Sequence, residues 1–144
     1  MTNEPSTIAA SQAAFDALNR VFMDRYHSMA AYILEASPYV GPEDQQALQR
    51  IQAVAAFDRT ESERLASVIE SLGAVPHVGP YSRRLAELNY LSVHHLRRYL
   101  ADQLLAQVAD YTALLPSVQE CPEVRDAIVS LIGNLKEFAT TLSA

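Results

Sequence analysis

The sequence contains little cysteine, no block of basic residues and no long apolar run, and each absence excludes a class of protein. A single cysteine, Cys121, rules out an internal disulfide. Eleven Lys and Arg residues are scattered among 17 Asp and Glu residues, and the net charge of −6 makes nucleic acid and anionic membrane poor partners. No stretch reaches the ~20 apolar residues that span a bilayer, and the N-terminal residues lack the basic and apolar segments of a secretory signal. We therefore expect a cytoplasmic protein that binds neither nucleic acid nor membrane.

Motifs of the common enzyme classes are also missing. The chain has no glycine-rich phosphate loop, no Cys-x-x-Cys pair, no His-Glu-x-x-His and no Gly-x-Ser-x-Gly. These motifs carry phosphate binding, thiol or zinc chemistry and acyl transfer. We therefore lean towards a protein that is not an enzyme.

Helical periodicity is the strongest positive signal. Proline and glycine cluster in three places, and between them apolar residues recur at alternating steps of three and four. No segment alternates apolar and polar residues as a strand does. The pattern predicts an all-α, single-domain four-helix bundle over residues 1–144. The four predicted helices cover residues 6–36, 43–72, 82–115 and 122–142.

The connection between the second and third predicted helices is long. The second helix spans about 45 Å at 1.5 Å per residue, and the segment from Gly73 to Ser82 can extend to roughly 33–36 Å. Two prolines within it favour extended backbone. We predict that this extended connection runs along the bundle, so that the second and third helices point in the same direction.

Charged residues interrupt two of the apolar stripes. Arg25 occupies an inward position of the first helix and Asp58 one of the second, with Glu61 one turn further on. A lone buried charge is costly, so each of these residues needs a partner. One interpretation is a structural ion pair of Arg25 with Asp58 or Glu61, and the other is a polar site inside the bundle. We favour the ion pair, because buried pairs of this kind are commonly structural.

The histidines offer a weaker alternative, a metal site. His94 and His95 are adjacent and diverge by about 100° on a helix, so at most one faces the core, and the sequence leaves open which. His95 shares a polar flank of the third helix. A metal site, if present, would combine Asp58, Glu61 and His95.

Two stretches of the chain resemble the ferritin-like superfamily, nearest the bacterioferritin and rubrerythrin type. One runs from Leu18 to Tyr32, and the other, DRTESERLASVIESLGAVP, runs from Asp58 to Pro76 and has the cadence of that family's second helix, although it ends in Leu-Gly-x-x-Pro where the family has Leu-x-Gly-x-Pro. The resemblance implies a four-helix bundle in which the second and third helices are roughly parallel. It also implies two metal ions, held by a Glu from each of two helices and a Glu-x-x-His from each of the other two.

The resemblance implies a degenerate di-iron site in this chain. A guanidinium cannot ligate a metal ion and repels one, and the fourth helix offers no acid or histidine at the matching positions. No metal cofactor is therefore expected, with iron or another divalent metal as the alternative. The six ligand positions fall, in chain order, on Arg25, Asp58, Glu61, Gln103, Leu131 and Asn134.

We therefore expect a non-catalytic ferritin-like protein that acts through self-association or protein binding. The alternatives are a metal-binding or oxidoreductase ferritin-like protein with an unusual site, and a small-molecule binder that uses a polar interior. The first and third helices carry apolar residues beyond a single stripe, which predicts a homodimer built on one of them. These residues are Val21, Ala30, Ile33, Leu34, Leu91 and Leu105.

Overall fold

The computed structural model of the chain describes residues 5–36, 38–80 and 91–144. All regular secondary structure in these ranges is helical, which confirms the all-α four-helix architecture, although the first bundle helix is interrupted. None of these helices is long and apolar enough to cross a membrane. The helices are α1 (Pro5–Tyr26), α2 (Met29–Glu35), α3 (Gln45–Ser71), α4 (Val93–Leu114) and α5 (Pro122–Ser143).

The second and fourth predicted helices match α3 and α5 closely. A short 3-10 turn, Pro42–Asp44, leads into α3, and Pro122 occupies the first turn of α5, where its missing N–H is not needed. Gly73 ends α3 with a φ of +82°, a conformation that residues with a Cβ rarely adopt. The Pro and Gly signals therefore set these boundaries.

The prediction of one continuous first helix is wrong. α1 ends at Tyr26 and α2 restarts at Met29, and neither proline nor glycine marks the interruption. Ser28 begins the new helix as its N-cap, and its hydroxyl accepts a hydrogen bond from the backbone N–H of Ala31 at 3.2 Å. Seven residues then continue the first bundle helix as α2.

The third predicted helix starts too early. The helix begins at Val93, and Ser92 caps it by accepting a hydrogen bond from the N–H of His95. Leu91 and Ser92 are not helical. The predicted start at Ser82 lies outside the described residues.

Contacts at both ends of α4 show that it runs antiparallel to α1 and α2. Beyond the end of α2, the carbonyl of Tyr39 accepts a hydrogen bond from the N–H of Val93, the first residue of α4. Near the other end of α4, Asp110 lies 3.4 Å from Arg20 of α1. The first bundle helix and α4 therefore point in opposite directions.

Helices α3 and α4 are parallel to each other. Arg25 of α1 contacts Asp58 in the middle of α3, and Asn19, earlier in α1, contacts His77, just beyond the end of α3. α3 thus runs antiparallel to α1, as α4 does. The chain between them includes residues 81–90, which lie outside the described part.

The helices enclose one continuous apolar core, and it contains most of the residues predicted to form a dimer surface. Val21, Ala30 and Ile33 are completely buried within the single chain. Leu34 and Leu91 are half-buried, so only Leu105 is exposed. The bundle itself therefore covers five of these six side chains wholly or in part. They do not form the exposed apolar surface on which the predicted homodimer contact depended.

Candidate functional site

A buried ion pair lies at the centre of the bundle. Nη1 of Arg25 donates to Oδ1 of Asp58 at 2.7 Å, and the two side chains are 1% and 3% exposed. The predicted contact between these residues is present. The Arg25–Asp58 contact is a single hydrogen bond and not the bidentate contact that a guanidinium can make with a carboxylate.

The interruption between α1 and α2 places Ser28 beside this ion pair. Ser28, the N-cap of α2, donates its hydroxyl to Oδ2 of Asp58 at 2.6 Å. The second guanidinium nitrogen of Arg25, Nη2, donates to Oε1 of Gln107 on α4. One polar network, Arg25, Ser28, Asp58 and Gln107, thus joins the first bundle helix to α3 and α4.

Glu61 of the predicted polar cluster makes no hydrogen bond to Arg25, although its charge adds to the effect of burial in raising the pKa of the Asp58 carboxyl. The carboxylate of Glu61 is bound by Arg64, three residues further along α3, with Nε of Arg64 at 3.1 Å from Oε2. Glu61 is itself buried, at 6% exposure. The arginine donor expected to reach it goes to Gln107 instead.

Burial is the largest influence on both members of the pair. It raises the pKa of Asp58, and the carboxyl pKa remains above its ordinary value although Arg25 and the Ser28 hydroxyl lower it. Burial alone lowers the pKa of Arg25, but the charges of Asp58 and Asp24 outweigh this and leave the arginine pKa raised. The guanidinium therefore keeps its charge inside the bundle.

A second polar contact lies beside the pair. The hydroxyl of Tyr111, a fully buried residue of α4, donates to Oδ2 of Asp24 at 2.6 Å. Burial raises the pKa of the Tyr111 phenol well above its ordinary value; the nearby Arg25 lowers it, and the Asp24 carboxylate raises it further. The phenol therefore stays protonated in the folded protein.

This raised pKa predicts a loss of stability in alkali. The unfolded phenol titrates near pH 10, so the contribution of Tyr111 to the unfolding free energy is complete below that pH. It is lost as the pH rises from about 10 through the higher folded pKa. We expect Tyr111→Phe to flatten the fall in unfolding free energy above about pH 10, as measured by denaturant titration at several pH values.

Tyr39→Phe is the matched control, because Tyr39 is 72% exposed and should leave the alkaline slope unchanged. Tyrosinate absorbance gives an independent measurement. The Tyr111 phenol should ionise only when the protein unfolds. Ionisation of Tyr111 near pH 10 in the folded protein, seen as a difference between the unmodified protein and Tyr111→Phe, would contradict this assignment.

The alternative metal ligands do not come together. His94 and His95 are both exposed at the start of α4, about three helical turns, roughly 18 Å, from Gln107. Asp58 is bonded to an arginine, as is Glu61. In the described ranges, no group of three or more His, Cys, Asp or Glu residues is placed to hold a metal ion.

The remaining positions implied by the ferritin-like resemblance supply no ligand either. Leu131 is buried and apolar, and Asn134 is half-buried on α5. Gln103 lies near Arg25 and Asp58, but Gln107, one turn later, makes the contact with the guanidinium.

Two cavities flank Arg25. The larger, of about 600 Å³, lies between α1 and α3, and the smaller, of about 250 Å³, lies towards α4. Arg25 lines both of them. The Arg25 side chain therefore contributes to the lining of a cavity on each side of it.

Comparison with known proteins does not place this chain in a family. No protein-family model matches it, and no similar sequence is found among curated proteins.

Proposed function

We propose that this chain is a non-catalytic ferritin-like bundle with a degenerate metal centre. The helix directions support the assignment, because parallel α3 and α4 are the order that the ferritin-like resemblance implies. The connecting segment 72–80 also supports the ferritin-like assignment, because it is hydrogen-bonded to α1. Its His77 backbone exchanges two hydrogen bonds, of 2.8 and 3.2 Å, with the side chain of Asn19 on α1.

The observation that carries the non-catalytic assignment is the Arg25–Asp58 pair. At the position where the family holds metal, this chain holds a buried cation bonded to Asp58, one of the two carboxylates at the matching ligand positions. A positive charge there repels a divalent metal. The alternative, a metal-binding or oxidoreductase protein, would require Arg25 to leave this position.

We further propose that the protein acts by self-association through the connecting segment 72–80. Three of its apolar side chains are exposed, Leu72 at 41%, Val75 at 74% and Val78 at 41%. Scattered exposed apolar residues are ordinary, but a group within nine residues favours a contact surface. The segment contains no Asp, Glu, Lys or Arg, so two copies can meet there without like-charge repulsion despite the net charge of −6.

Light scattering tests this surface. We expect a dimer mass for the unmodified protein and a monomer mass for Val75→Asp combined with Val78→Asp, because each introduced carboxylate would have to be desolvated in the contact. Val129→Asp is the matched control, since Val129 is equally apolar and 49% exposed on α5. A monomer mass for the unmodified protein, or a dimer that survives the double substitution, would reject self-association through this segment.

A further inference from the structure

Segment 72–80, the proposed contact surface, contains one titratable side chain, that of His77. The imidazole is exposed, and it follows and precedes two exposed apolar residues of the segment, Val75 and Val78. Among the described residues, the hydrogen bonds of His77 are made by its backbone alone. A second copy that packs against this segment therefore meets the imidazole as well as the valines.

The backbone of His77 is fixed to the bundle. Its N–H donates to Oδ1 of Asn19 at 2.8 Å, and its carbonyl accepts from Nδ2 of the same side chain at 3.2 Å. Asn19 is itself buried on α1, at 9% exposure. Because a buried side chain holds both backbone groups of residue 77, the imidazole stays at the contact surface when another copy approaches.

The titratable groups around the segment leave the His77 imidazole unpaired. Nε2 of His27 lies 2.9 Å from the carbonyl oxygen of Gly79, and since a carbonyl only accepts, this nitrogen carries a proton whether His27 is neutral or charged. Glu70 is exposed on the last turn of α3, before the segment. The other titratable and charged groups on that side share a cavity with Pro80: Asp24, Arg25, Asp58 and Tyr99. A proton taken up by His77 therefore adds a positive charge to the surface of each copy.

Protonation of His77 opposes the association of two copies. In a two-fold symmetric dimer both copies present the same patch, so two imidazoles enter the contact. A neutral imidazole is far easier to bury than an imidazolium, which loses its hydration and meets a second positive charge. Segment 72–80 has no carboxylate to pair with either of them. The separated copies therefore bind protons more readily than the dimer does, and a fall in pH favours separation.

We propose, on the basis of the self-association through segment 72–80 proposed above, that His77 makes this association pH-dependent. The copies join at about pH 8 with neutral imidazoles and separate towards about pH 5.5 as His77 takes up a proton. The charge of the whole chain predicts the opposite trend, since the net charge of −6 at pH 7 approaches zero near the pI of about 5.1 and the long-range repulsion between copies falls. The direction of the pH effect therefore distinguishes His77 from the charge of the rest of the chain.

Light scattering over a dilution series at about pH 8 and about pH 5.5, at one salt concentration, measures the dissociation constant at each pH. For the unmodified protein we expect it to be at least about tenfold larger at the lower pH, because each dimer that separates takes up two protons. His77→Gln keeps a polar side chain that cannot gain the charge, so its association should not weaken at the lower pH. His77→Arg carries the charge permanently and should be monomeric at both pH values.

His94→Gln is the matched control, because His94 is an exposed histidine outside the segment, on α4, and its loss should leave the pH effect unchanged. Weaker association of His77→Gln at the lower pH would overturn the role of His77, as would association of the unmodified protein that is unchanged or tighter there; either result leaves the contact surface intact. A monomer mass for the unmodified protein at about pH 8, or a dimer there that survives Val75→Asp combined with Val78→Asp, would instead reject the contact surface and the pH effect with it.

Discussion

Replacing Arg25 with alanine should lower the unfolding free energy by about 3–5 kcal/mol, because it leaves the buried carboxylate of Asp58 without its cation. The side chains are 1% and 3% exposed, so water does not replace the lost partner. Asp58→Ala should cost a similar amount, since the guanidinium then keeps only Gln107 as a strong acceptor. Denaturant unfolding of each variant measures these changes.

The ion pair of Arg20 and Asp110 is the matched control. It also joins α1 to α4, but both side chains are 58% exposed and the contact is 3.4 Å long. Arg20→Ala should therefore change the unfolding free energy by no more than about 1 kcal/mol. A double variant that lacks both Arg25 and Asp58 should be less destabilised than the sum of the single variants. Simple additivity would mean that the two charges do not depend on each other.

The sequence predicts α3 and α5 well because local signals and the apolar pattern agree there. Pro42, Gly73 and Pro122 mark helix ends by their backbone chemistry, and the stripes between them are regular. The interruption at Ser28 has no such signal. Its hydroxyl caps α2 and also bonds Asp58 on another helix, so the break depends on a tertiary contact that periodicity does not reveal.

The charged half of the central network was predictable and the neutral half was not. Arg25 and Asp58 interrupt apolar stripes, which identifies them as buried charges in need of partners. Gln107 is an uncharged, half-buried residue and breaks no pattern. The partner of Glu61 had a local signal, since Arg64 lies three residues away on the same helix, a spacing at which side chains meet.

Apolar residues outside a stripe proved a poor indicator of a dimer surface. Val21 and Ile33 lie inside the single chain because the first bundle helix is contacted by both α3 and α4. The most exposed valine, Val75, lies instead in a segment without helical periodicity. An exposed surface in an irregular segment can be recognised only when the packing of the helices around it is known.

Exchanging Arg25 for glutamate should destabilise the protein more than the alanine substitution does, and added divalent metal should reverse part of the loss. The new carboxylate would lie near Asp58 and Asp24, and buried like charges repel strongly. A bound Zn²⁺ or Fe²⁺ ion would neutralise them. At a metal concentration 100 times the dissociation constant, binding restores about 2.7 kcal/mol.

Arg25→Gln separates metal binding from the simple loss of the cation. It also removes the positive charge but adds no carboxylate, so metal should not raise its melting temperature. The unmodified protein should show no metal-dependent increase either, because its guanidinium occupies the space and bonds Asp58. A rise in melting temperature confined to Arg25→Glu would show that one charge separates this bundle from a metal-binding one. A comparable rise in the unmodified protein, with metal bound at Asp58 and Arg25 turned outward, would instead support the metal-binding or oxidoreductase alternative.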